Sequence, residues 1–183
     1  MVVTRTGSAT YRKQWTFCSD DVAAENKLTS DRKTPRVADN TMTFPCQIGW
    51  NWPEAPYGEP GSVARVRTAE ELRQRLSDIR VGAQARQIAI AVNVVTPKNH
   101  MFSLVLGLGD GSILTYDGRG GDPPYLVSVG NTSKDRVLVS YFYGGQRSEL
   151  PASHVILEEL AVDALVDSIE NEHPSSLIRW HGG

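Results

Sequence analysis

The sequence predicts an α+β fold: a mostly antiparallel sheet with two principal helices packed on it, plus an irregular N-terminal arm. Three observations predict it. Short apolar runs between residues 101 and 150 are separated by tight-turn signals, which is typical of hairpins. Two other segments repeat their apolar residues every three or four positions, as amphipathic helices do. Polar residues dominate positions 19–43, where no period persists.

Length and composition fit one domain with an extension. The chain has 183 residues, of which 40% are hydrophobic and 22% charged, as is usual for a globular protein. A net charge of -2 argues against direct binding of nucleic acid, because nucleic-acid binders usually carry a basic stripe. No apolar run approaches the roughly 20 residues of a membrane span, and the N-terminus lacks the apolar core of a signal peptide. We therefore expect a cytoplasmic protein that does not enter membranes.

Residues 1–62 form the predicted arm, and residues 63–183 form the predicted compact domain. The end of the arm, residues 48–61, is rich in Pro and Gly, so we expect an irregular segment there. Its aromatic residues, which include Trp50 and Trp52, favour at least partial docking on the domain, because disordered tails are usually poor in aromatic residues.

Both cysteines, Cys18 and Cys46, belong to the predicted arm. In a reducing compartment we expect free and partly buried thiols, although a disulfide between the two is geometrically possible. Two cysteines without a nearby histidine do not form a zinc site.

The first predicted helix follows a capping box, Thr68–Glu71, in which the Thr hydroxyl and the Glu carboxylate each bind a backbone N–H. Leu72, Leu76 and Ile79 share one face of this helix and are its predicted core residues. Gly82 suits the end of the helix.

Alternating apolar residues predict the strands that follow. On the second strand, Leu104, Leu106 and Leu108 are expected to share a face, and Asp110–Gly111 predicts a tight turn after it. The predicted strands cover residues 87–95, 102–108, 113–116, 126–129, 137–143 and 146–150.

The second predicted helix starts near Ser153, a plausible N-cap, and Pro174 prevents its continuation. Residues 177–180 then look like a last strand. The predicted buried stripe of this helix consists of Leu157, Leu160, Ala164, Leu165, Ser168 and Ile169.

No catalytic set, metal-ligand set or cofactor motif is recognisable in the sequence. Gly107–Gly111 resembles a phosphate-binding glycine loop, but a strand follows it where such a loop needs a helix, so a β-turn is favoured. The four histidines show no metal-ligand spacing. We therefore expect a protein that is not an enzyme and that needs neither metal nor cofactor.

Tyr141 and Tyr143 are two positions apart and should project from the same face of a strand, with Arg147 and Glu149 of the returning strand near them. One interpretation is a packed sheet face, because aromatic residues are common cross-strand partners. The other is an exposed hot spot for binding a protein.

Several segments resemble the Imm1 family of bacterial immunity proteins. They are Leu104–Tyr116, Val139–Pro151 and, after a helix, Pro174 followed by Ile178–Trp180. Trp180 matches a hallmark of that family, and Tyr143-Gly144-Gly145 with Pro151 matches its hairpin and helix entry. The resemblance covers about residues 66–181.

The resemblance implies an immunity protein that binds and neutralises a cognate bacterial toxin in a one-to-one complex. The toxins of such systems are often zinc-dependent nucleic-acid deaminases, which admit an unstacked base to a zinc-bound water. An inhibitor would need only to cover that pocket. The matching positions look like fold determinants, so the resemblance supplies no contact residue.

Candidate contact residues come instead from the chemistry of the toxin. A groove that binds nucleic acid is expected to be basic, so acidic side chains at turns could enter it, with Tyr116 beside them and the Trp50–Trp52 segment as an apolar anchor. The default explanation of the same carboxylates is ordinary turn chemistry, because Asp is favoured in turns in any case. The candidate partner-binding residues are Asp110, Tyr116, Asp117, Asp122, Trp50, Trp52, Tyr141 and Tyr143.

Two alternatives stay open. One is a small enzyme or ligand-binding domain whose site lies in a pocket under the Pro-rich loop Asp122–Tyr125. The other is an interaction module whose partner is not a toxin. Converging titratable side chains in a cleft would favour the first, and the neighbouring genes would separate the second from an immunity protein.

Overall fold

The structure is a computed structural model that describes residues 46–54, 61–118 and 125–182. The predicted α+β class is confirmed, with two helices and a mostly antiparallel sheet in this part of the chain. Most of the predicted arm, residues 1–45 and 55–60, lies outside the described residues, as does Cys18.

Twelve helices and strands follow one another in the described residues, and two short 3-10 turns, Thr132–Lys134 and Ala152–His154, accompany them. In chain order the elements are β1 Cys46–Trp50, β2 Ser62–Val66, α1 Ala69–Ala85, β3 Ile90–Val95, β4 Met101–Leu108, β5 Gly111–Asp117, β6 Leu126–Ser128, β7 Leu138–Tyr143, β8 Gln146–Pro151, β9 Ile156–Leu157, α2 Glu158–Asn171 and β10 Trp180–Gly182.

The sheet runs in the order β10-β6-β5-β4-β3-β1-β2, with antiparallel neighbours throughout. Two further elements join this path from outside: β9 pairs with β5, and the β7–β8 hairpin meets β3 in parallel at a single pair, Ile90 and Phe142. There the Phe142 N–H donates to the Ala89 carbonyl at 2.8 Å. The hairpin therefore leaves the plane of the sheet and can lie over one of its faces.

The expectation of an irregular segment at residues 48–50 is wrong, because Cys46–Trp50 is strand β1, between β2 and β3. Ile48 is fully buried in the helix-covered core and holds the strand there. Cys46 is also buried, and burial, followed by the nearby charge of Glu71, raises the pKa of its thiol to about 11. This cysteine is therefore an inert core residue.

Both helices cover the same face of the sheet and bury its main core. The predicted capping box forms: the Glu71 N–H donates to Thr68 Oγ1 at 3.1 Å, and Glu71 Oε2 accepts from the Arg67 N–H at 2.9 Å. The predicted core face of α1 is confirmed. Within the described ranges, the largest fully buried side chains are those of Tyr116, Phe102, Ile48, Leu72, Ile90, Leu104, Leu106, Ile113, Leu114, Leu165, Val66 and Val92.

Gly82 does not end helix α1, which continues to Ala85. A Cβ atom at this position would lie 2.9 Å from the Trp52 ring. The absence of a side chain therefore creates the space in which Trp52 packs on the helix.

The prediction that Leu108 shares a face with Leu104 and Leu106 is wrong. The pairing of β4 with β5 shifts register between Val105 and Leu108, and Gly107 has a φ of +91° at this bulge. The extra residue moves Leu108 to the opposite face, where it packs with Val105. The hairpin turn itself is confirmed, and it places Asp110 at its exposed tip.

Ser153 is not the N-cap of α2, which begins at Glu158 after a 3-10 turn and the short strand β9. The predicted buried stripe is wrong only at its beginning: Leu157 precedes the helix and is 68% exposed, and Leu160 in the first turn is also exposed. The observed buried residues of α2 are Ala161, Ala164, Leu165, Val166, Ser168 and Ile169.

Trp180 is half-buried and packs against the main core, while its Nε1–H donates to the Ser175 carbonyl at 2.8 Å. Trp180→Ala is expected to lower the free energy of unfolding by roughly 2 to 4 kcal/mol, since buried ring area and a hydrogen bond are both lost. Urea denaturation would measure this. The control is Leu177→Ala, an exposed neighbour, which should change stability by about 0.5 kcal/mol or less. Equal effects would show that Trp180 is not a core residue.

Candidate partner-binding site

The β7–β8 hairpin covers part of the sheet face that the helices leave uncovered. A second apolar cluster lies under it, built from Ala89, Ala91, Val105, Ile113 and Val127. From the hairpin, Val139, Tyr141 and Leu150 pack against this cluster. These apolar contacts cover the part of the sheet face that lies under the hairpin.

Beyond the cluster the same face becomes polar, in a row that crosses the three central strands. Asn93 is paired with Ser103, and Ser103 with Thr115. The Ser103 hydroxyl donates to Asn93 Oδ1 at 2.6 Å, and the Thr115 hydroxyl donates to the Ser103 carbonyl at 3.5 Å. These side chains hold one another in fixed orientations and form a polar floor.

Three tyrosines surround this floor. Tyr125 and Tyr143 are 43% and 40% exposed, and Tyr141 is half-buried against the apolar cluster. Tyr125 lies close to Thr115, and Tyr143 lies close to Asn93. We call the floor, these tyrosines and the adjacent Asp117 the tyrosine face; its members are Asn93, Ser103, Thr115, Asp117, Tyr125, Tyr141 and Tyr143.

The tyrosine hydroxyls are protonated at neutral pH. Burial, followed by the proximity of Tyr125 and Tyr143, raises the pKa of Tyr141 to about 12. Burial is also the main cause that raises the pKa of Tyr125 and of Tyr143, and the charge of Asp117 adds to both. The tyrosines therefore offer neutral rings and hydroxyl groups that can donate or accept hydrogen bonds.

Tyr141 and Tyr143 do share a face, as predicted, but Arg147 and Glu149 do not lie beside them. In the hairpin register Arg147 is opposite Phe142, and Glu149 is opposite Ser140. Cross-strand partners share a face, so these charges lie on the far side of the hairpin. Arg147 Nη2 is 3.2 Å from Glu149 Oε1 there, and the Ser140 hydroxyl donates to the same oxygen at 3.0 Å.

Tyr116 is not available to a partner, because only 1% of it is exposed. Its ring packs against Phe102 at a centroid distance of 5.1 Å, and its hydroxyl lies 2.8 Å from His100 Nδ1. Tyr116 alternates with Thr115 and Asp117 along β5 and thus belongs to the helix-covered core.

The predicted acidic contacts are not brought together. Asp110 lies at the first end of β5 and Asp117 at the last, roughly 20 Å apart along an extended strand. Only Asp117 adjoins the tyrosine face. Asp122 lies outside the described residues.

Trp50 and Trp52 are half-buried and pack against the main core, which confirms the expected docking of this segment. The Arg86 guanidinium lies 4.2 Å from the centroid of the Trp52 ring, and Arg86 Nε is 2.6 Å from Glu54 Oε1. One face of Trp52 is thus already occupied by a side chain of the same protein. Neither tryptophan adjoins the tyrosine face in the sheet.

A groove of about 340 Å³ lies between α1 and α2, away from the tyrosine face. Two ion pairs cross it: Arg73 to Asp163 at 2.8 Å, and Arg80 to Glu158 at 3.2 Å. Burial raises the pKa of Glu158, and the charge of Arg80 opposes that shift. Arg80 Nε and Glu158 Oε2 are buried without a hydrogen-bond partner within the described residues.

Sequence reasoning missed Asn93, Ser103, Thr115 and Tyr125. A signal was present, because one polar residue interrupts the apolar residues of each central strand: Asn93 in β3, Ser103 in β4 and Thr115 in β5. The strand pairing that aligns these positions was not available from the sequence.

Residues 46–54, 61–118 and 125–182 contain no group of three or more His, Cys, Asp or Glu side chains arranged to hold a metal ion. Neither described helix is long and apolar enough to cross a membrane. Comparison with protein-family models and with curated proteins found no match for this chain.

Proposed function

We propose that this protein is a cytoplasmic immunity protein of the Imm1 type, which binds a cognate bacterial toxin one-to-one and covers its active site. The toxin in this proposal is a nucleic-acid deaminase. The proposal rests mainly on the tyrosine face. It is also supported by the resemblance to the Imm1 family, which lies in the order of the sheet segments, the helix and the closing Trp180 segment.

The tyrosine face has the properties of a protein-binding surface. Tyrosine is enriched at binding hot spots, because it supplies a large apolar ring and a hydroxyl with few rotatable bonds to immobilise. Here strand pairing fixes the floor, and the apolar cluster under the hairpin holds Tyr141. Binding would therefore require little ordering of the tyrosine face, which favours affinity.

The charge of the face suits a partner that binds nucleic acid. Among the members of the tyrosine face, Asp117 is the only Asp or Glu and none is Lys or Arg, so this surface has an acidic character. A nucleic-acid groove presents Lys and Arg to phosphates. Opposite charges would speed encounter, and buried tyrosine rings would slow release.

The proposal is tested by co-expression with the product of the adjacent toxin gene. Wild-type protein should restore growth and should elute with the toxin as a one-to-one complex on a sizing column. Asp117→Arg should reduce protection without lowering the melting temperature, because it places a cation in the contact while the core stays unchanged. Continued killing at high levels of the wild-type protein, without a complex, would refute the proposal.

The alternative function is a small ligand-binding or enzymatic domain. The interhelical groove favours it, since Glu158 is a carboxyl with a raised pKa in a cleft, beside partly unpartnered Arg80. The same assay separates the two functions. Glu158→Gln should leave protection intact if the tyrosine face binds the toxin. It should abolish protection if the activity of the protein depends on the groove.

A further inference from the structure

We infer that the tyrosine face is an arginine-recognition site, in which the tyrosine rings stack on a guanidinium group of the partner and Asp117 binds its N–H groups. The inference rests on the proposed function in taking the partner to be a toxin, and it names the side chain that the toxin must present. Three features of the face support it.

The first feature is the set of aromatic rings. Tyr125 and Tyr143 are both about two-fifths exposed, and both lie close to the polar floor: Tyr125 directly precedes β6 where it pairs with β5, and Tyr143 ends β7 close to Asn93. The ring of a tyrosine carries negative charge density on its face and attracts a cation within about 6 Å of its centroid. A guanidinium that lies over the floor can therefore stack on either of these part-exposed rings.

The second feature is the carboxylate. Asp117 ends strand β5 next to this floor, and its charge acts on both Tyr125 and Tyr143. None of the ion pairs formed within the described ranges includes Asp117. A half-buried carboxylate beside aromatic rings can bind the N–H groups of a guanidinium directly.

The third feature is that an arginine, an aromatic ring and a carboxylate already contact one another elsewhere in the molecule. Arg86 lies over the Trp52 ring at 4.2 Å while its Nε binds the Glu54 carboxylate at 2.6 Å. An arginine, an aromatic ring and a carboxylate therefore satisfy one another within this protein. The tyrosine face presents the ring and the carboxylate of that arrangement to the outside.

Arginine fits better than lysine. A guanidinium is planar, offers five donors and is weakly hydrated, so it can stack and hydrogen-bond at the same time. The carboxylate of Asp117 and the hydroxyl oxygens of the tyrosines supply several acceptors for these donors. A lysine ammonium would have to lose a stronger hydration shell in a half-exposed site.

Nuclear magnetic resonance of the full chain with labelled tyrosine rings tests the inference. The probe is N-acetyl-arginine methylamide, and its control is the citrulline analogue, which has the same shape but no charge. The arginine probe should shift the ring signals of Tyr125 and Tyr143 in a saturable way, with an affinity at least threefold above that of the citrulline analogue. Equal affinity for both probes would overturn the inference.

Variants locate the binding. Asp117→Asn should weaken the arginine probe roughly threefold to tenfold, and Tyr143→Phe should retain most of the affinity, because the ring face remains. Tyr143→Leu should lose it, while an unchanged backbone spectrum shows that the variant is folded. Retained affinity in both Asp117→Asn and Tyr143→Leu would also overturn the inference.

No toxin is present in these measurements, so their outcome does not depend on whether the proposed function is correct. Arginine binding without protection in the co-expression assay would refute the immunity role and leave the recognition site standing. Protection without preference for the arginine probe would refute the recognition site and leave the immunity role standing.

Discussion

Replacing Gly107 with alanine is expected to lower the free energy of unfolding by roughly 3 to 5 kcal/mol, because two separate penalties combine. The backbone at Gly107 has a φ of +91°, which residues with a side chain rarely adopt. A Cβ atom there would also lie 2.4 Å from the Ile88 carbonyl oxygen, which belongs to the backbone and cannot turn aside.

Gly109→Ala separates these two penalties. Gly109 has a φ of +73°, yet a Cβ atom added there would meet nothing within 4 Å. We therefore expect the conformational penalty alone, about 1 to 2 kcal/mol. Chemical denaturation of both variants measures the difference, and a Gly107→Ala variant no less stable than Gly109→Ala would mean that the bulge in β4 adjusts freely.

The second large effect concerns the tyrosine face. In the proposed toxin complex, Tyr143→Ala is expected to weaken binding by roughly 2 to 4 kcal/mol, about 30-fold to 1,000-fold, as is usual for a tyrosine at the centre of an interface. The melting temperature should change little, because this residue lies beside the core and not within it. Titration calorimetry with the purified toxin gives the affinity directly.

Arg147→Ala is the matched control for this experiment. Arg147 lies in the same hairpin, but its partner across the strands is Phe142, so it projects from the other side. Its ion pair with Glu149 is exposed and contributes little to stability. We expect unchanged affinity and unchanged stability. A larger loss of affinity for Arg147→Ala than for Tyr143→Ala would move the interface to the opposite side of the hairpin.

Local signals in the sequence predicted the elements whose structure is determined locally. The capping box at Thr68 and the core face of α1 formed as expected, since both depend on residues one or two turns apart. The turn at Asp110 and the shared face of Tyr141 and Tyr143 were also correct. The resulting class, an antiparallel sheet with two helices, followed from these pieces.

The errors occurred where distant contacts decide the structure. Strand β1 was hidden by the prolines that follow it, and its identity depends on Ile48 packing into a core formed by later residues. The bulge at Gly107 moved Leu108 to the other face, because one extra residue reverses a period of two. The start of α2 moved from Ser153 to Glu158 because β9 pairs with β5 first.

The candidate site could be predicted only in part. Tyr141, Tyr143 and Asp117 were named from the sequence, whereas Tyr116 was named for its position beside an acidic turn and proved to be core. In the sequence, neither Asn93 nor Ser103 nor Thr115 by itself indicates a binding site. They become a site only when strand pairing aligns them, and that pairing depends on the whole sheet.

Alternation along the central strands separates two structural roles within single segments of the chain. In β3, Val92 and Val94 are fully buried beneath the helices, while Asn93 between them faces away from that core. A substitution at the outward position can therefore change the surface that a partner would meet while the packing under the helices stays the same. The outward positions of this sheet can thus be varied one at a time, independently of the residues that determine the fold.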